Sequence, residues 1–143
     1  MEIKVMYHST TGNTKKVALA IAAAVGAEAC SLAEAGNQRS VDILFIGDGV
    51  YGAKIHKSTK AFIKSLAPGS VKNAAVFSTY GGQDASVGIM KNLLEAQGIR
   101  VADEHFSCKG KAWFLFNRRH PSAAELDAAK EFAKKTVNMF NPA

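Results

Sequence analysis

The segment Ile3-Lys4-Val5-Met6-Tyr7-His8-Ser9-Thr10-Thr11-Gly12-Asn13-Thr14-Lys15-Lys16-Val17 passes from one periodicity to another. Ile3 to Tyr7 is a short apolar run that reads as a strand. From Asn13 to Val25, Val17, Ile21 and Ala24 recur at helical spacing, and Gly26 is placed to end the helix. Between the two lie one histidine, three hydroxyl residues and one glycine. A helix that starts from such a loop has N–H groups without partners and about half a positive charge at its first turn. A phosphate satisfies both. Ser9, Thr11 and Thr14 offer hydroxyl donors, Gly12 permits a close backbone approach, and Lys15 and Lys16 add a favourable field. The same residue types also suit an ordinary capped helix start, so the choice rests on where the loop stands in the fold.

Working outward, strand and helix patterns alternate. Ala27 to Leu32 reads as a short strand, and Val41 to Ile46 as a strand covered on both faces. Ser58 is positioned to cap a helix with Thr59, Phe62, Ile63 and Leu66 on one side, stopped by Ala67-Pro68-Gly69. Ala74 to Thr79 reads as a strand, Ser86 to Gln97 as a helix with Val87, Met90, Leu93 and Leu94 inward, and Ile99 to Phe106 as a fifth strand. Ser122 and Glu125 have capping-box spacing before a helix with Leu126, Ala129, Ala133 and Val137 on one face. Five strands alternating with helices predict a three-layer, doubly wound α/β fold with a five-stranded parallel sheet. No linker interrupts the pattern, so residues 1–143 are expected to form one domain. Ligands of such sheets bind beyond the carboxyl ends of the strands. The segments there, Ser9 to Thr14, Asp48 to Ala53 and Tyr80 to Asp84, are rich in glycine and hydroxyls.

Ser9, Thr11, Gly12 and Thr14 fill every fixed position of [ST]-x-T-G-x-T, the phosphate-gripping pattern of the flavodoxin family. The chain resembles the short-chain flavodoxins along nearly its whole length, including the buried strand ending at Gly47, the strand ending at Thr79 and the alanine-rich last helix. The resemblance implies sheet order 2-1-3-4-5 and FMN as cofactor. It implies that Ser9, Thr10, Thr11, Gly12, Asn13 and Thr14 hold the FMN phosphate. Gly49, Val50, Tyr51 and Gly52 would lie along the inner face of the isoalloxazine ring, and Thr79, Tyr80, Gly81 and Gly82 on its outer side. Tyr51 falls at a stacking position. Gly52 falls where a peptide flip offers a carbonyl to the N5–H of the reduced flavin, a movement that glycine makes cheap.

Two departures stand out. Gly82 occupies the place of an aromatic that often covers the outer face, leaving Tyr80 to compensate or the face open. Flavodoxins also ring the flavin with carboxylates, whereas Gly47 to Lys57 carries Asp48 against Lys54 and Lys57, −1 + 2 = +1. A less negative second reduction step than that of acidic relatives is therefore expected.

Composition bounds the alternatives. The chain is 48% hydrophobic and 21% charged, with net charge 18 − 12 = +6. The basic residues are scattered, with no RNA-binding signature, so nucleic acid is not expected and an acidic redox partner is. No secretory leader and no apolar run near the roughly 20 residues of a membrane helix is apparent. A cytoplasmic monomer without membrane insertion is the expectation. Cys30 and Cys108 lack CxxC spacing and read as two buried thiols. In a 2-1-3-4-5 sheet they lie at opposite edges, about 19 Å apart, too far for a disulfide.

Gly47-x-Gly49-x-x-Gly52 matches GxGxxG, but no acidic residue follows about 20 positions on to hold a ribose. The Gly-Lys-[Ser/Thr] of a P-loop is absent, and Tyr7-His8-Ser9 lacks the acids a receiver domain needs. His8, His56 and His105 show no partner pattern and read as structural or surface residues. Cys108 to Pro121 reads as a strand extension with a solvated loop. The expected function is a flavodoxin-like one-electron carrier with no catalytic acid or base. The alternatives are an FMN-dependent NAD(P)H or quinone oxidoreductase, and a domain that has lost FMN and acts as a binding module.

Overall fold

A computed structural model describes residues 1–9, 12–36, 38–49, 54–80, 85–109 and 122–141. The strands are β1 (Ile3–Tyr7), β2 (Ala29–Ser31), β3 (Val41–Gly49), β4 (Val71–Tyr80), β5 (Arg100–Val101) and β6 (Phe106–Lys109). The helices are α1 (Asn13–Val25), α2 (Lys57–Lys64), α3 (Ala85–Ala96) and α4 (Ala123–Phe140), with one 3-10 turn at Leu32–Glu34. All strand pairs are parallel, in the order β2-β1-β3-β4-β5, with β6 also beside β4. The expected doubly wound order is thus present.

Strict alternation along the strands builds two cores. Val5 and Tyr7, Ile43 and Phe45, and Ala75 and Phe77 face Val17, Ile21, Ala129 and Phe132 of α1 and α4. Their neighbours Met6, Leu44, Ile46, Ala74 and Val76 face Ile63, Met90 and Leu94 of α2 and α3. Both faces of the sheet are covered, which is why β3 and β4 read as nearly continuous apolar runs. Gly47 is forced by packing: a Cβ there would overlap the edge of the Phe77 ring, its neighbour across the β3–β4 ladder.

The expected fifth strand is two strands. Arg100 and Val101 pair with Asn73 and Ala74, and Phe106 resumes opposite Phe77. Four residues, 102–105, therefore stand against the two residues 75–76. Asp103, Glu104 and His105 are exposed; three consecutive polar residues do not fit a strand that must bury side chains, so the chain loops out and re-enters. Lys91 Nζ donates to the Asp103 carbonyl at 2.6 Å and holds the break against α3.

Two further expectations change. The cap of α2 is His56, whose side chain accepts from the Ser58 N–H, rather than Ser58 itself. Cys30 is half-buried rather than buried. It lies on β2 and Cys108 on β6, at opposite edges of the sheet. The capping box of α4 forms as read: Ser122 Oγ accepts from Glu125 N, and Glu125 accepts from Ser122 N.

Candidate functional site

The carboxyl ends of β1, β3 and β4 converge with the amino ends of α1, α2 and α3. Gly12 precedes α1 at φ +90°, a left-handed conformation natural only to glycine. No described atom lies within 4 Å of a Cβ placed there, so its backbone angle, not crowding by the protein, requires glycine. Ser9 Oγ accepts the Gly12 N–H at 3.0 Å and keeps its hydroxyl hydrogen to donate elsewhere. Gly12 gives α1 no side-chain cap, whereas α2 and α4 are capped by His56 and Ser122. Asn13 is buried, and its Oδ1 has no partner among the described residues. A helix start that its N-cap residue leaves without a side-chain cap is suited to an anion, whereas the Asn13 Oδ1 is an acceptor and calls for a donor of its own. A phosphate group fits these residues.

Consecutive hydroxyls at the end of β4 latch it to both helical layers. Thr79 Oγ1 lies 2.7 Å from Thr14 Oγ1 on α1, and Ser78 Oγ lies 2.7 Å from Ser86 Oγ on α3. All four side chains are buried. Each pair uses one hydroxyl hydrogen internally, so the Thr14–Thr79 pair keeps one to donate. Gly49 stands opposite Thr79 in the ladder. The structure thus gathers Ser9, Gly12, Asn13, Thr14, Gly49 and Thr79 at one end of the sheet. Thr10, Thr11, Val50, Tyr51, Gly52, Gly81 and Gly82, the Tyr80 side chain, and residues 110–121 of the Cys108 to Pro121 segment lie outside the described residues.

One constellation escaped the sequence reading. Asp48 is fully buried. Its Oδ1 accepts the Gly49 N–H at 2.7 Å and its Oδ2 the His56 N–H at 2.8 Å. His8 Nδ1 lies 3.3 Å from Oδ1. The His8 and His56 rings stack with centroids 3.7 Å apart and planes 14° apart. Asp48 is therefore no solvent-facing carboxylate beside a ring, and the exposed charges of that loop are Lys54 and Lys57. The available signal was the register: Tyr7 pairs with Gly47, which places His8 beside Asp48.

Elsewhere, an open cleft of about 650 Å³ lies among Ser40, Phe62, Leu66 and Ser70. It is at the amino ends of β3 and β4, opposite the end where such sheets bind ligands. Among the described residues no cluster of three or more His, Cys, Asp or Glu could hold a metal, and no helix is long and apolar enough to cross a membrane.

The sheet order and its flanking helices define a flavodoxin-like α/β domain. A family model described as a flavodoxin domain matches residues 4–114, and the chain belongs to that family, whose members typically bind flavin. An uncharacterized protein of Methanocaldococcus jannaschii is 30% identical over 137 residues, covering 87% of this chain and 90% of that one. Among solved structures, a flavodoxin from the domain Archaea matches with TM-score 0.84 at 19% identity, covering 98% of this chain and 99% of that one. Two-electron reduced Megasphaera elsdenii flavodoxin matches with TM-score 0.64 at 24% identity, covering 92% and 98%.

Proposed function

We propose that the protein binds FMN and carries single electrons between redox proteins. The observation that carries this reading is the start of α1, where Gly12 supplies no side-chain cap and the Ser9 hydroxyl keeps a hydrogen to donate, in a chain of the flavodoxin family. FMN, when bound, supplies the redox chemistry. The chain's part is to hold and tune it. The α1 N–H groups and the Ser9 and Thr14–Thr79 hydroxyls bind the phosphate. The carboxyl ends of β3 and β4 stand on the ring side.

The partner in this reading is acidic. Lys54, Lys57, Lys60 and Lys64 are exposed on and just before α2, and none pairs with a carboxylate among the described residues. With Asp48 buried, the described loop and helix present positive charge only. The same charge favours the anionic, fully reduced flavin, which makes the second reduction step less negative than in acidic relatives.

Titration of the apoprotein with FMN and with riboflavin tests the reading: tight FMN binding that weakens when the phosphate is missing is expected. Stepwise reduction should then accumulate the one-electron-reduced form. Absence of FMN binding overturns the proposal. Turnover of NAD(P)H with a quinone, without accumulation of the one-electron form, favours a reductase instead.

A further inference from the structure

We propose that Asp48 is a positioning clasp that joins the two halves of the flavin site. A fully buried carboxylate is costly unless its oxygens are matched by donors, and here the donors come from three separate stretches of chain. Oδ1 takes the Gly49 N–H at the end of β3, and Oδ2 takes the His56 N–H at the start of α2. His8, just past β1, contributes its Nδ1 to Oδ1. The two backbone donors stand at the end of β3 and just before α2, so a single side chain ties these two elements together.

The histidines extend the clasp. His8 donates its backbone N–H to the Gly47 carbonyl at 3.0 Å, which locks it to β3. Its ring lies flat on His56. His56 Nδ1 caps α2 by accepting from Ser58 N at 3.1 Å, with Ser58 Oγ at 2.7 Å, which places the His56 hydrogen on Nε2. The residue after His8 is Ser9, which holds Gly12. The phosphate side and the ring side of the site therefore meet at Asp48. The inference deepens the FMN reading and rests on it for the ligand, but the clasp itself is a property of the chain. It assigns Asp48 to the ring side: it holds the end of β3 to the start of α2 beside the flavin, and leaves the phosphate interaction unchanged.

The test uses Asp48→Ala, which removes both acceptors, Asp48→Asn, which keeps one, and His8→Phe, which keeps a ring on His56 without the Nδ1 contact to Asp48. Amide-resolved hydrogen exchange on the apoprotein reads the clasp directly. Hydrogen bonds to a charged group contribute enough that each loss costs about tenfold or more in protection. Asp48→Ala should release the Gly49 and His56 amides together while the Phe45 and Ile46 amides stay protected. Asp48→Asn should release one of the two, and His8→Phe should weaken both less than Asp48→Ala does.

FMN and riboflavin affinities should fall by the same factor, again about tenfold, with their ratio unchanged, and the visible circular dichroism of the bound flavin should change. Unchanged protection at both amides, unchanged affinities, or a loss confined to FMN overturns the proposal. If the unaltered protein binds neither flavin, the FMN reading fails while the exchange measurements still decide the clasp. If Asp48→Ala does not fold, Asp48→Asn and His8→Phe decide between the same outcomes.

Discussion

Replacing Gly47 with alanine adds one methyl group at the place where β3 and β4 are most tightly matched. The new Cβ would overlap the Phe77 ring. Phe77 is completely buried and registers with Gly47 on one side and Phe106 on the other. The ring therefore has no free direction in which to turn, and β3 has none in which to retreat, because Gly47 also pairs with Tyr7 of β1. Overpacking of this kind costs about 1–3 kcal/mol. Because the ring carbons themselves are overlapped, the upper end, about 3 kcal/mol, is expected. At roughly 3–4 °C per kcal/mol for a domain of this size, the melting temperature should fall by about 10 °C. Urea unfolding of Gly47→Ala, Phe77→Leu and the double variant checks the cause. Phe77→Leu alone opens a cavity, but in the double variant the methyl group occupies space the ring has left, so the two losses should be less than additive by more than about 0.5 kcal/mol. A Gly47→Ala protein within about 0.5 kcal/mol of the original, or strictly additive losses, would refute the packing argument.

Four other outcomes are expected. Gly12→Ala meets no described atom but must hold a left-handed angle, so stability should fall by about 1–2 kcal/mol, and FMN binding should weaken while riboflavin binding does not. Thr14→Val and Thr79→Val each strand a buried hydroxyl at about 1–3 kcal/mol; the double variant, measured by chemical unfolding, should lose less than the sum. The Glu2 N–H at 2.7 Å, followed by the Lys72 ammonium at 3.3 Å, holds the Asp42 carboxyl below its ordinary value. Its stabilisation is therefore fully present above about pH 4 and lost as the pH falls further; Asp42→Asn should flatten that part of the acid unfolding curve. Reversing Lys57, Lys60 and Lys64 to glutamate should slow electron transfer to an acidic ferredoxin and weaken its salt dependence. The same reversal of Lys130, Lys134 and Lys135 on α4 should change it little, and equal effects of the two sets would count against docking at α2.

The layers of the fold were legible because periodicity reports burial. Val41 to Ile46 and Ala74 to Thr79 could be recognised as strands since both faces of the sheet are covered. The phosphate loop was legible because its chemistry is local: hydroxyls and one left-handed glycine between a strand and a helix. What remained hidden depends on contacts between distant residues. Asp48 looks like a loop carboxylate until its three donors, at positions 8, 49 and 56, are brought to it by β1, β3 and α2. His56 takes the cap from Ser58 because its ring is already held by His8. The break at 102–105 was written in Asp103-Glu104-His105, but the apolar residues on either side joined into one apparent run.

That break shapes how copies of this molecule meet one another. A long, flat outer strand presents unpaired amides and carbonyls on which another sheet can grow. Here one border of the sheet is the three-residue β2, and the other is β5 and β6, of two and four residues, parted by exposed acidic side chains. Neither border among the described residues offers a template long enough to recruit a stranger's strand. The irregularity in the fifth position thus protects the protein from edge-to-edge aggregation at high concentration, and filling the gap with alternating valines should make it prone to associate.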